Sequence, residues 1–128
     1  MFFQIRLQNY KKNRNFANFY SYLCNMLFNT SSIREYLCAC PTGQLFVLTD
    51  TNTAAHCLPI FADFIGNLPY HLITLDAGDT NKNINSVQLV WEFLLKNCAT
   101  RQALLVNLGG GIVTDLGGFA AATYMRGI

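Results

Sequence analysis

Between residues 44 and 110 the chain alternates short, unbroken apolar runs with segments whose apolar residues recur at helical spacing. The runs are QLFVLTD (44–50), YHLITLDA (70–77) and ALLVNLGG (103–110). Each is apolar through its middle and closes on polar or glycine residues, which predicts a buried strand. Between the first two, TAAHCLPIFADFIG (53–66) predicts a helix with Pro59 as a kink. From Ile84 to Leu95 the apolar positions 84, 87, 91, 94 and 95 fall on one helical face. After the third run, GIVTDLGGFAAATYM (111–125) opens a helix rich in small residues, which can approach its neighbours closely. Ahead of all these, SSIREYLCA starts at residue 31 with a serine cap and a short helical run.

The order is therefore β-α-β-α-β-α. Continuously apolar strands alternating with helices predict an α/β fold, a three-layer, Rossmann-like parallel sheet with helices on both faces. In such sheets ligands bind at the carboxyl ends of the strands. All three strand ends are polar or bare: Asp50-Thr51-Asn52, Ala77-Gly78-Asp79 and Gly109-Gly110-Gly111. Residues 1–30 are Asn-rich and aromatic and have a different texture. They read as an unassigned, divergent leader with a candidate helix at 16–28, and the domain proper as 31–128.

Composition sharpens this picture. Apolar residues make up 52% of the 128 and charged residues only 12%, about half the usual share of charge. Two explanations fit and both are adopted: part of the surface is covered by something outside this chain, and the N-terminus carries unusual sequence. A net charge of +2, with Lys11, Lys12 and Arg14 clustered early, lacks the broad basic face of a nucleic-acid binder. The apolar stretch 16–28 is too short to span a bilayer and has no clear signal-peptide cleavage site; no membrane association is expected. The five cysteines, Cys24, Cys38, Cys40, Cys57 and Cys98, are odd in number and fit no paired framework. Reduced thiols in the cytoplasm are the expected state. His56 and His71 read as structural histidines, and no metal site is assigned to this chain.

The strand ends carry the candidate chemistry. A bare backbone between a strand and a helix N-terminus suits a phosphate, because amides point outward and the helix dipole favours an anion. Gly109 and Gly111 meet part of a G-x-G-x-x-G fingerprint, but Thr114 stands where its third glycine would be. A tight packing turn is the competing reading. Asp115, read as lying in the first turn of the helix, either complements the dipole or accepts hydrogen bonds from sugar hydroxyls. Asp50 and Asn52 serve either as a helix cap or as polar contacts to a nucleoside. Asp79 and Lys82, in DAGDTNKN, read alone as a polar turn.

Taken together, VLTDTNT, AGDTNKN and NLGGGIVTDLGGFAAATYMRGI, in this order and spacing, resemble the 3-dehydroquinate synthases. The similarity runs from about Cys38 to Ile128, and GGGIVTDLGGFAAATYMRG is its most specific part. The resemblance implies the family's N-terminal NAD-binding half, an incomplete N-terminal domain that stops before the metal-binding C-terminal domain. It implies that Asp50 and Asn52 contact the adenosine end of NAD. Asp79 stands where the family usually has Glu, beside Gly78 and the matching Lys82. Gly109, Gly110, Gly111, Ile112 and Thr114 fall on the segment that meets the cofactor phosphates, and Asp115 lies on the nicotinamide side. Arg126, in YMRG, matches the arginine that reaches the substrate phosphate, in the family from a neighbouring subunit.

The activity implied for the complete enzyme is conversion of 3-deoxy-arabino-heptulosonate 7-phosphate to 3-dehydroquinate and phosphate, in the shikimate pathway to aromatic amino acids. NAD is its recycled cofactor, and a zinc or cobalt ion is expected only with the C-terminal domain. A homodimer and a sugar acid phosphate substrate follow from the same resemblance. This chain alone is expected to be inactive, with no catalytic residue of its own. Two alternatives stay open: a related sugar-phosphate cyclase or glycerol-type dehydrogenase, and a non-catalytic nucleotide-binding fragment.

Overall fold

The computed structural model describes residues 3–6 and 31–128; the candidate helix at 16–28, Cys24 and the early basic residues lie outside them. The described strands are β1 (Phe3–Arg6), β2 (Leu45–Asp50), β3 (His71–Leu75) and β4 (Leu104–Gly109). The helices are α1 (Ser31–Cys38), α2 (Thr51–His56), α3 (Leu58–Ile65), α4 (Ile84–Lys96) and α5 (Gly111–Thr123). Short 3-10 turns cover Asp79–Asn81 and Tyr124–Arg126. The strands form one parallel sheet in the order β1-β4-β2-β3.

Every residue of β2 and β4 is buried, as their unbroken apolar runs require. Successive side chains point to opposite faces, and each face builds its own core. On one face Phe46, Leu48 and Leu105 pack under α4 and α5, through Val87, Val90, Leu94, Val113, Leu116 and Ala120. On the other, Leu45, Val47, Leu104, Val106 and Leu108 meet Leu37 of α1 and Phe61 and Ile65 of α3. The three-layer arrangement expected from the sequence is thus present.

Three details differ from the sequence reading. The sheet has a fourth strand, β1, inside the segment read as leader; Phe3 pairs with Val106 and Arg6 with Gly109. Four residues of mixed polarity give too short a pattern to register. The segment 53–66 is two helices, not one bent helix, because Pro59 stands at the start of α3, where its missing N–H would go unpaired in any case. β3 alternates, with Leu72 and Thr74 exposed, as an edge strand covered more fully on one side would. The histidines sit as expected: His56 ends α2, and His71 opens β3 and stacks on Phe46 at 5.0 Å.

Candidate functional site

The chain passes from β2 through α2 and α3 on one face of the sheet, while β4 sends α5 over the other. Neighbouring parallel strands that send their helices to opposite faces leave a crevice at their carboxyl ends. Here that crevice lies between Asp50 and Gly109, and the turn after β3 stands beside it. The fold therefore collects the three polar strand ends that the sequence singled out.

Two of the helices at this edge are capped by side chains. Asp50 caps α2: its Oδ1 accepts the Thr53 backbone N–H at 2.8 Å, and Thr53 Oγ1 accepts the Asp50 N–H at 3.1 Å. Asp50 is buried, and Oδ1 is committed to the cap; Asn52 stands exposed in the first turn. Alanine at position 50 should lower stability by about 1–2 kcal/mol, read as a lower urea midpoint at unchanged slope. Asn83 caps α4 by accepting the Ser86 N–H at 3.1 Å.

α5 is different. Its N-cap is Gly110, no side chain caps it, and no acidic residue lies in its first turn. The first bond into the helix is Thr114 N–H to the Gly110 carbonyl, so the preceding amides have no partner within the helix. Asp115 is the fifth residue of α5, one turn further in than expected from the sequence.

The glycines here divide into two kinds. A Cβ at Gly109 would lie 2.5 Å from Val113, and a Cβ at Gly117 only 1.8 Å from Asn107 Oδ1; these two are bare so that α5 can lie on β4. Gly110 and Gly111 have no positive φ, and a Cβ on either would meet none of the described residues within 4 Å. Nothing among the described residues requires their bareness. It leaves an open, uncapped backbone facing the crevice, fit for an anion. Thr114 is buried and its hydroxyl donates back to the Gly111 carbonyl at 3.2 Å. The structure thus places Thr114 in support of the glycine turn, not on its surface. Ile112 is half-buried and packs into the α4–α5 core.

The turn after β3 supports itself. Gly78 takes φ +118, and the Asn81 amide donates to the carbonyls of Asp76 and Ala77 at 3.2 Å each. The Ala77 N–H, donating to Thr51 Oγ1 at 3.3 Å, ties the turn to the start of α2. Asp79 is exposed. Lys82 spans the gap to α5, its Nζ 2.6 Å from Asp115 Oδ2. Both partners are nearly half exposed, so solvent screens the pair. Lys82→Ala should shift the unfolding free energy by less than about 1 kcal/mol, and added salt should shrink even that.

Arg126 is not brought to this group. It lies past the far end of α5, roughly 20 Å from Gly110 by helix length. It sits in a turn whose ends are closed by the Gly127 N–H donating to the Tyr124 carbonyl at 2.8 Å. Met125 and Arg126 both have positive φ, +48 and +69, followed by Gly127 at +111. Positive φ at both central residues is the mirror-image turn that favours Asn-Gly. Met and Arg hold it here at about 1–2 kcal/mol of strain each.

Asn107 and Gly117 escaped the sequence reading as a pair. Asn107 is fully buried in β4, and among the described residues neither its Oδ1 nor its Nδ2 has a hydrogen-bond partner. The signals were a lone amide inside an apolar run and the small residues of α5. Among the described residues no three His, Cys, Asp or Glu side chains gather as a metal site. Cys38, Cys40 and Cys98 are free thiols, and burial pushes Cys40 above the usual range. No helix among the described residues is long and apolar enough to cross a membrane.

Residues 72–128 match the profile of the 3-dehydroquinate synthase N-terminal family. The chain is 42% identical over 98 residues to a 3-dehydroquinate synthase of Parabacteroides distasonis, covering 77% of this chain and 28% of that protein. It is 38% identical over 91 residues to one of Acetivibrio thermocellus, covering 68% and 25%. The chain thus spans little more than a quarter of the length of these curated relatives. Its fold superposes on 2-deoxy-scyllo-inosose synthase, solved with carbaglucose-6-phosphate, NAD+ and Co2+, with a TM-score of 0.64 at 22% identity, over 77% of this chain and 28% of that one. With the strand-end motifs in place, the chain resembles the N-terminal part of the 3-dehydroquinate synthases, and its residues 72–128 match that family's N-terminal profile.

Proposed function

We propose that this chain is the NAD-binding N-terminal part of a 3-dehydroquinate synthase. The complete enzyme would convert 3-deoxy-arabino-heptulosonate 7-phosphate to 3-dehydroquinate and phosphate, as a phosphate-eliminating lyase of the cytoplasm. The observation that carries this reading is the uncapped N-terminus of α5, with Gly110 and Gly111 bare for no reason found among the described residues. The cofactor supplies hydride exchange with a substrate hydroxyl. The residues described here bind and orient. The α5 amides and the two glycines take the pyrophosphate. Asn52, exposed beside the crevice, and Asp79 suit the adenosine hydroxyls. Lys82 and Asp115 suit the nicotinamide ribose, whose hydroxyls can replace parts of their ion pair. Asp50 acts through the α2 cap, with Oδ1 already engaged.

The relatives named 3-dehydroquinate synthase favour that activity over other cyclizations; the inosose synthase likeness, at its low identity, speaks for the fold alone. The described residues offer no metal centre, and no step is assigned to a metal held by them. We therefore expect this chain alone to bind NAD without turnover. Arg126, on the far side of α5 from the cofactor seat, would serve the substrate phosphate of a second copy in a homodimer. The test is thermal unfolding with and without NAD. A rise in midpoint that grows with NAD concentration, as linkage requires, supports the reading. An unchanged midpoint at millimolar NAD refutes it.

A further inference from the structure

The turn that presents Arg126 is the one described segment where successive non-glycine residues are held in left-handed conformation. A strained turn persists only where its surroundings over-determine it. Here the restraints are visible on both sides. Tyr124 is buried, and its hydroxyl donates to the Ala99 carbonyl at 3.2 Å. Ala99 is itself buried, and its N–H donates to the Leu94 carbonyl at 2.9 Å, at the end of α4. Beyond the turn, Ile128 is buried and its N–H donates to the Ala121 carbonyl at 3.1 Å. Between these anchors Met125 and Arg126 are exposed, and among the described residues the Arg126 side chain makes no hydrogen bond or ion pair. Its five donors are free for an outside acceptor. Burial and the neighbouring Cys98 push the Tyr124 hydroxyl above its usual range, so it remains a donor at neutral pH.

We propose that Tyr124 is a positioning residue for Arg126: its bond to Ala99 holds the left-handed turn so that the guanidinium stands ready for a phosphate group. The proposal rests on the phosphate reading of Arg126 given above. A planar guanidinium gains most from phosphate when its approach is fixed in advance. Freed from the anchor, Met125 and Arg126 would return to ordinary negative φ and the guanidinium would turn away.

The experiment uses the whole chain, labelled for NMR and titrated with inorganic phosphate. Two readings are taken: the Arg126 side-chain N–H shifts, and the HN–Hα couplings of Met125 and Arg126, which report φ. In the unmodified chain the Arg126 signals should move and saturate. Tyr124→Phe, which keeps the ring, should weaken that response about fivefold and move both couplings out of the left-handed range. Adding Met125→Asn to Tyr124→Phe should restore both readings, because Asn tolerates left-handed backbone. Met125→Asn alone should bind phosphate as tightly as the unmodified chain or more so. Unchanged phosphate binding in Tyr124→Phe, or weaker binding with couplings unchanged, overturns the positioning role. So does failure of Asn to rescue. If Arg126 of the unmodified chain ignores phosphate while neighbouring signals behave normally, the phosphate reading falls and the positioning role goes with it.

Discussion

Gly117→Ala is expected to destabilise the chain by about 3 kcal/mol, enough to leave a marginal domain largely unfolded. The new Cβ would lie 1.8 Å from Asn107 Oδ1, 2.5 Å from its Cγ and 2.8 Å from Leu48 Cδ2. None of these can step aside easily. Asn107 and Leu48 are wholly buried in adjacent central strands, paired directly in register. The alternative is for α5 to lift from β4, which would open the core formed by Val113, Leu116 and Ala120. The same geometry predicts a rescue. Asn107→Ala removes the two nearest atoms and also deletes a buried amide with both polar atoms unpaired. Deleting such a group recovers about 1–3 kcal/mol of desolvation cost, against the packing lost. Asn107→Ala alone should therefore be near neutral, and the double substitution should be markedly more stable than Gly117→Ala. Urea unfolding of the four chains gives the coupling directly. If the two changes simply add, Asn107 is not what keeps position 117 bare.

The pair also marks where sequence reasoning stopped. The three strands were legible because β2 and β4 are buried on both faces, so their apolar runs have no interruption to misread. The glycine turn was legible as a string, GGGIVTD, but not as a sorting of its glycines. Gly109 and Gly117 answer to Val113 and Asn107, while Gly110 and Gly111 answer to nothing among the described residues. Only distances separate those cases. The double role of Asp50 was foreseen as two alternatives, and the structure realises the cap. The Lys82–Asp115 contact joins residues 33 apart in sequence; no local pattern announces it. β1 was missed because four residues carry too little periodicity, and its place beside β4 is set by pairing alone. The left-handed turn at Met125 was hidden for the opposite reason: its residues are the wrong ones for its shape, and the anchors that hold it lie at Ala99, just past α4, and at Ala121 in α5.

Alanine at Gly110 or Gly111 should do the reverse of alanine at Gly117. Neither position has positive φ, and a Cβ at either meets no neighbour among the described residues. Gly111 is the first residue of α5, where exchange for alanine narrows the unfolded ensemble and favours the helix, by up to about 1 kcal/mol. The midpoint of thermal unfolding without ligand should stay level or rise slightly. The NAD-dependent increment should fall, with affinity reduced tenfold or more, about 1.4 kcal/mol. On the proposed reading a methyl group on this turn stands where the pyrophosphate would approach the amides, which have no other partner in the helix. Calorimetric titration with NAD, beside melting curves of the same samples, separates the two quantities. Lost affinity at full stability assigns the bare backbone to the cofactor. Undiminished NAD binding in both variants places the dinucleotide elsewhere, and Gly110 and Gly111 would then have neither an internal nor an external reason to be bare. Lost stability would mean that the turn packs against something beyond the described residues. The crevice between β2 and β4 would then be a buried seam, not a binding edge.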